Sequence, residues 1–93
     1  MIRIRWTRAA AADLEQIGNY LKEHNPRVAR PTVTKLYDAA VSLKRFPNRG
    51  RAGSQAGTRE LVIPSLPYVI VYQVAGETVH IARVVHGAQD WQG

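Results

Sequence analysis

Five side chains in the second half of the chain have the types that metal-free phosphodiester chemistry requires: Arg59, Glu60, Tyr72, Arg83 and His86. Cleavage of that kind removes a proton from a 2′-hydroxyl, returns one to the leaving oxygen and stabilises charge on the phosphate. His, Glu or Tyr can move the protons, and Arg can hold the phosphate. Strand parity is the first test of whether they converge. In "TRELVI" (58–63), Arg59, Leu61 and Ile63 share one face, and Thr58, Glu60 and Val62 share the other. In "TVHIARVV" (78–85), Arg83 falls with Ile81 and Val85, and His86 with His80, Ala82 and Val84. Neighbouring candidates therefore point apart unless a bulge or strand end re-aims one. Each also has a plain structural role open to it. Arg83 suits an ion pair with Glu60 or Asp90, His86 a satisfied histidine at a strand end, and Trp91 a cap on the edge of the core. Tyr68 and Tyr72, four apart on one strand face, read as core.

Other chemistries find less support. His24, His80 and His86 are the only histidines, and none stands at a metal-motif spacing from another ligand, so neither a metal nor a cofactor is expected. "GRAG" (50–53) follows a helical segment and leads into a strand, the reverse of the order in a phosphate-binding loop. With no Cys there is no disulfide framework and no thiolate nucleophile. No apolar run approaches the ~20 residues of a membrane span. "MIRIRW" lacks the long apolar stretch of a signal peptide, so a cytoplasmic protein is expected. Thirteen Lys and Arg against seven Asp and Glu give a net charge of +6, which suits an acidic partner, either nucleic acid or an acidic protein segment.

The elements that must position these residues fit one domain over 1–93. "MIRIRW" has period two, with Ile2, Ile4 and Trp6 on one face and Arg3 and Arg5 on the other, which predicts a half-buried strand. Thr7 is placed to cap a helix over 8–23 whose apolar stripe is Ala10, Leu14, Ile17 and Leu21. Asn25-Pro26 signals a second helix start, with Asn as cap and Pro at the first helical position. Its stripe is Val33, Leu36, Tyr37, Ala40 and Leu43, with Phe46 just beyond, and Pro47 ends it. Pro31 leaves two alternatives, a kink within the helix or a helix that begins there. Residues 47–57 form a loop carrying Gly50, Gly53, Gly57, Arg49 and Arg51. "TRELVI", "YVIVYQV" and "TVHIARVV" then read as an antiparallel meander, the last two joined by a tight turn at "AGE". The expected fold is two-layer α+β, in the order strand–helix–helix–three-stranded antiparallel meander, with the helical hairpin packed on one face of the sheet.

Four segments carry a resemblance to the RelE/ParE superfamily of toxins from type II toxin–antitoxin systems, and together they span nearly the whole chain. They are "A..DL..I..YL...NP" (10–26), "L..FP..GR.G" (43–53), "GTREL.IP..PY.IVY.V" (57–74) and "R..HGAQDW" (83–91). The resemblance implies a cognate antitoxin with an acidic, partly disordered segment that folds on binding, as suits a domain of charge +6. The superfamily divides by activity. RelE-like members cut messenger RNA on the ribosome with basic residues on the central strands, and ParE-like members inhibit DNA gyrase. The RelE-like pattern wants an Arg directly after the tyrosine of "Y-x-x-V-Y", where this chain has Val69. Its two lysines on the preceding strand map near Glu60 and Val62. The resemblance therefore favours a ParE-like gyrase inhibitor with no catalytic residues. The alternative is a ribosome-dependent ribonuclease using Arg59, Arg83 and His86, and a third reading is a remnant that only binds its antitoxin. Tyr20, Lys22, Tyr37, Arg49, Arg51 and Trp91 are the candidates for partner contact.

Overall fold

The computed structural model describes residues 1–87. β1 (Arg3–Trp6) leads into α1 (Arg8–His24) and α2 (Pro26–Ser42). Four strands follow: β2 (Arg51–Ala52), β3 (Thr58–Val62), β4 (Tyr68–Ala75) and β5 (Thr78–His86). The sheet order is β1-β5-β4-β3-β2. The expected meander β3–β4–β5 is antiparallel throughout. β1 adds parallel to β5, which makes the sheet mixed, and β2 is a short strand inside what the sequence presents as loop 47–57. No helix among the described residues is long and apolar enough to cross a membrane.

The local chemistry explains the boundaries. Thr7 is extended, and its Oγ1 accepts the Ala10 amide at 3.1 Å, capping α1 as expected. The same hydroxyl donates to the Ala82 carbonyl at 2.9 Å, tying the helix start to β5. Asn25 closes α1 through its own amide to the Leu21 carbonyl and precedes Pro26 at the start of α2, but its side chain makes no capping bond. Of the two alternatives at Pro31, the helix runs through it. α2 stops at Ser42, short of Pro47, because the chain tightens into three-residue turns from Leu43 to Arg45. Phe46 consequently leaves the stripe and is exposed.

The core lies between the helices and one face of the sheet. Leu36, Ala40 and Leu43 of α2 and Ala10 of α1 meet Leu61, Ile63, Ile70, Tyr72, Val79, Ile81 and Val84. Ile4 and Trp6 of β1, and Ile2 just before it, pack against the core, as their alternation requires. The expected stripes are only partly covered, however. Leu14, Ile17 and Leu21 of α1 are half-buried, and Tyr37 of α2 is 52% exposed.

β5 contains one extra residue. Val71 pairs with Arg83 and Tyr72 with Ile81, so Ala82 is unmatched. This bulge resets the strand's parity. Val84 joins Ile81 in the core, while Val85 joins Val69, Val71 and Ala82 in a small cluster on the opposite face. The expected alternation therefore keeps Arg83 with Val85, through their register with Val71 and Val69, but fails for Ile81 across the bulge.

Candidate functional site

The three residues that a ribonuclease would use occupy separate places. Arg59 stands opposite Tyr72, and its Nη1 donates to the carbonyls of Asn48 and Gly50 at 3.2 and 2.8 Å. His86 stands opposite Tyr68 at the end of β5, its ring edge-on to the tyrosine at 5.9 Å. Those two positions are four residues apart on β4, ~13 Å along the strand at ~3.3 Å per residue. Arg83 donates Nε and Nη2 to Asp13 of α1 at 2.7 and 2.9 Å. That partner takes the place of Glu60, one of the two the sequence offered; Asp90, the other, lies outside the described residues. Hydrogen bonding to Asp13 holds the Arg83 guanidinium protonated even more firmly than a free arginine.

Glu60 instead pairs with Arg51 at 3.0 Å. Tyr72 is fully buried, and its hydroxyl accepts from the Gly50 amide and donates to the Pro47 carbonyl, both at 2.8 Å. It pins the loop 47–50 to the sheet. Arg49 donates to Ser42 Oγ at 2.8 Å. Arg49 and Arg51, expected as partner contacts, thus also hold the loop against α2 and β3.

The partial coverage of the helices opens a groove of about 830 Å³. Its apolar wall includes Trp6, Leu14, Ala29, Val33 and Tyr37. Trp6 and Tyr37 stack within 4° of parallel at 6.2 Å between ring centres. Gly18 faces Val33 closely enough that an added Cβ would lie 3.3 Å from Val33 Cγ2, so glycine lets the two helices approach there. Lys22 and Arg30 add positive charge to the lining, with Glu15 as the only acid among the lining residues. An open apolar trough with cations at its edge suits the apolar face of an acidic amphipathic segment.

Of the expected partner contacts, Lys22 and Tyr37 line this groove. Tyr20 lies outside it, 58% exposed and stacked on His24 at 4.1 Å. Its phenol neighbours Tyr68, whose own hydroxyl is pushed above the usual tyrosine range by burial and then by Tyr20. Trp91 lies outside the described residues, as does Asp90. Sequence reasoning passed over Trp6, Leu14 and Val33 as groove residues, because a stripe shared by two helices reads as core. The glycine at 18, between Leu14 and Leu21, was the available signal.

The comparisons with known proteins agree with this architecture. Residues 4–91 match the family model described as "ParE toxin of type II toxin-antitoxin system, parDE". Toxin RelE2 of Caulobacter vibrioides is 43% identical over 89 residues, covering 96% of this chain and 99% of that protein. The Sinorhizobium fredii protein Y4kP is 38% identical over 89 residues, covering 96% and 92%. A solved structure of the chromosomal ParDE toxin–antitoxin system from P. aeruginosa superposes with a TM-score of 0.85 at 28% identity, covering 92% of this chain and 96% of that one. The fold is that of a type II toxin. The chain belongs to the ParE toxin family of type II toxin–antitoxin systems, and membership implies an antitoxin partner.

Proposed function

We propose that the protein inhibits DNA gyrase by binding it, and that its antitoxin neutralises it by laying an acidic amphipathic segment into the groove between α1 and α2. The observation that carries the choice of target is Val69. It occupies the position where the RelE-like pattern places an arginine, and it is buried with Val71 and Val85 in an apolar cluster. The lysine positions nearby are Glu60, engaged by Arg51, and Val62, which is exposed. An apolar patch supplies neither proton transfer nor a counter-charge for a phosphorane, and removing such groups costs several kcal/mol of barrier, of order 3–4 for one oxyanion donor.

Apolar wall and basic rim together support the antitoxin reading. A partner helix presenting side chains at i, i+3 or i+4, and i+7 could bury them along Trp6, Val33 and Tyr37 while its carboxylates reach Lys22 and Arg30. The test is supercoiling of relaxed plasmid by purified gyrase with and without the protein. Inhibition or trapped cleaved DNA, reversed by antitoxin, is the expected result. Undiminished supercoiling in the presence of folded, toxic protein would refute it.

A further inference from the structure

The face of the sheet away from the helices carries a surface of different character. β1 alternates, so while Ile4 and Trp6 turn inward, Arg3 and Arg5 stand exposed on the open side. Register places Arg3 beside Thr78 and Arg5 beside His80. The second row continues through Gln73 of β4 to Thr58 of β3. Arg5, His80 and Gln73 thus form a polar row across three adjacent strands, which ends on β3 at Thr58, buried and donating its hydroxyl to the Gln55 carbonyl.

Charge on this side is unbalanced. The ion pairs among the described residues are Met1–Glu77, Arg51–Glu60 and Arg83–Asp13, so Arg3 and Arg5 are in none of them. Glu60 on β3 and Glu77 in the turn before β5 are both already engaged. Glu15, Glu23 and Asp38, which are in no such pair, all lie on the helices.

We propose that this row, led by Arg3 and Arg5, binds the phosphodiester backbone of nucleic acid without reading sequence. A guanidinium carries five donors and no acceptor and matches phosphate oxygens. Two of them on one strand face, two residues apart, stand ~6.6 Å from each other and suit a repeating anion. Contacts of this kind position a protein on nucleic acid and carry no base preference. An amphipathic acidic protein segment suits this row less well, because Thr78, His80 and Gln73 offer it no apolar floor beside Arg3 and Arg5, the apolar residues of this face (Val69, Val71, Ala82 and Val85) lying farther along β4 and β5. Such a floor lies in the groove on the other side of β1. The two surfaces are therefore separate, and the inference holds whichever macromolecule the toxin targets.

Fluorescence anisotropy of a labelled DNA duplex of arbitrary sequence, titrated with the full chain over a range of salt, tests this. Three variants accompany the wild type: R3Q/R5Q; R27Q/K35Q, which removes the same charge from exposed positions of α2; and Y37A in the groove. Melting curves confirm that each is folded. Wild-type affinity should fall log-linearly with salt. R3Q/R5Q should bind at least tenfold more weakly, with a salt slope smaller by about 1.8, or ~0.9 per lost phosphate contact. R27Q/K35Q and Y37A should stay close to wild type. Absence of duplex binding by the wild type, an equal loss in R27Q/K35Q, or a comparable loss in Y37A would each overturn the proposal.

Discussion

Asp13 and Arg83, 70 residues apart, form the tie between α1 and β5. Arg83 donates Nε to Asp13 Oδ2 at 2.7 Å and Nη2 to Oδ1 at 2.9 Å, and Oδ2 also accepts the Val84 amide at 2.9 Å. Asp13 is only 12% exposed in its side chain, and Val84 is part of the core. One carboxylate thus satisfies a guanidinium and a backbone amide just past the bulge at Ala82.

The energetic consequence is asymmetric. Asp13→Ala leaves both the guanidinium and the Val84 amide without their acceptor and should cost about 1–3 kcal/mol. Arg83→Ala leaves Asp13 bonded to the amide and should cost less. Urea denaturation of the two variants measures the difference. Equal stability of Asp13→Ala and wild type would remove Asp13 from this role.

Tyr72 should matter through one oxygen. Tyr72→Phe keeps the ring in the core but removes the acceptor of the Gly50 amide and the donor to Pro47, at a cost of about 1–3 kcal/mol. Hydrogen exchange at the Gly50 amide should accelerate more than exchange in β4. Gly50→Ala should also destabilise, because the added Cβ would meet Tyr72 Cε1 at 2.8 Å and the Glu60 carbonyl at 2.9 Å.

The groove should separate neutralisation from toxicity. Tyr37 is half-exposed in the free protein and forms one wall with Trp6. Buried aromatic anchors contribute about 2 kcal/mol or more to many interfaces, roughly 30-fold in affinity. Tyr37→Ala should weaken antitoxin binding by that order, as measured by calorimetry, while growth arrest without antitoxin persists. Unchanged antitoxin affinity would place the partner elsewhere.

Pro31 lies inside α2 and has no amide to donate to the preceding turn. Its position is exposed, so Pro31→Ala creates no cavity. The substitution should restore one helical bond and raise stability, with an upper bound of about 3 kcal/mol set by the usual cost of an interior proline. A lower melting temperature than wild type would contradict this.

Much of the fold is legible in local patterns. The alternation of Ile2, Ile4 and Trp6 against Arg3 and Arg5, the cap at Thr7 and the three apolar strand runs each specify an element from a few residues. The "AGE" turn is equally local. Gly76 takes φ +60 at the first central position, where a two-residue II′ hairpin turn needs it. What escaped depends on long-range geometry. The bulge at Ala82 inverts parity along the rest of β5, and nothing in "HIARVV" marks it. Asp13 read as a residue off the apolar stripe, and its partner is on a strand at the far end of the chain. Leu14, Val33 and Tyr37 have helical spacing whether a sheet covers them or a partner does, so their sequence could not distinguish core from groove. Likewise Arg49 and Arg51 read as partner contacts and Arg59 as a group for phosphate, because the acceptors that hold them are set by how the loop 47–53 folds back.

The most direct test of a gyrase-binding toxin compares the wild type with His86→Ala in the supercoiling assay, with messenger RNA cleavage on ribosomes scored in parallel. The expected result is equal inhibition of supercoiling by both proteins and intact messages with both. Unaffected supercoiling, together with messages cut by the wild type and spared by a folded His86→Ala variant, would contradict it and place the chemistry at the end of β5.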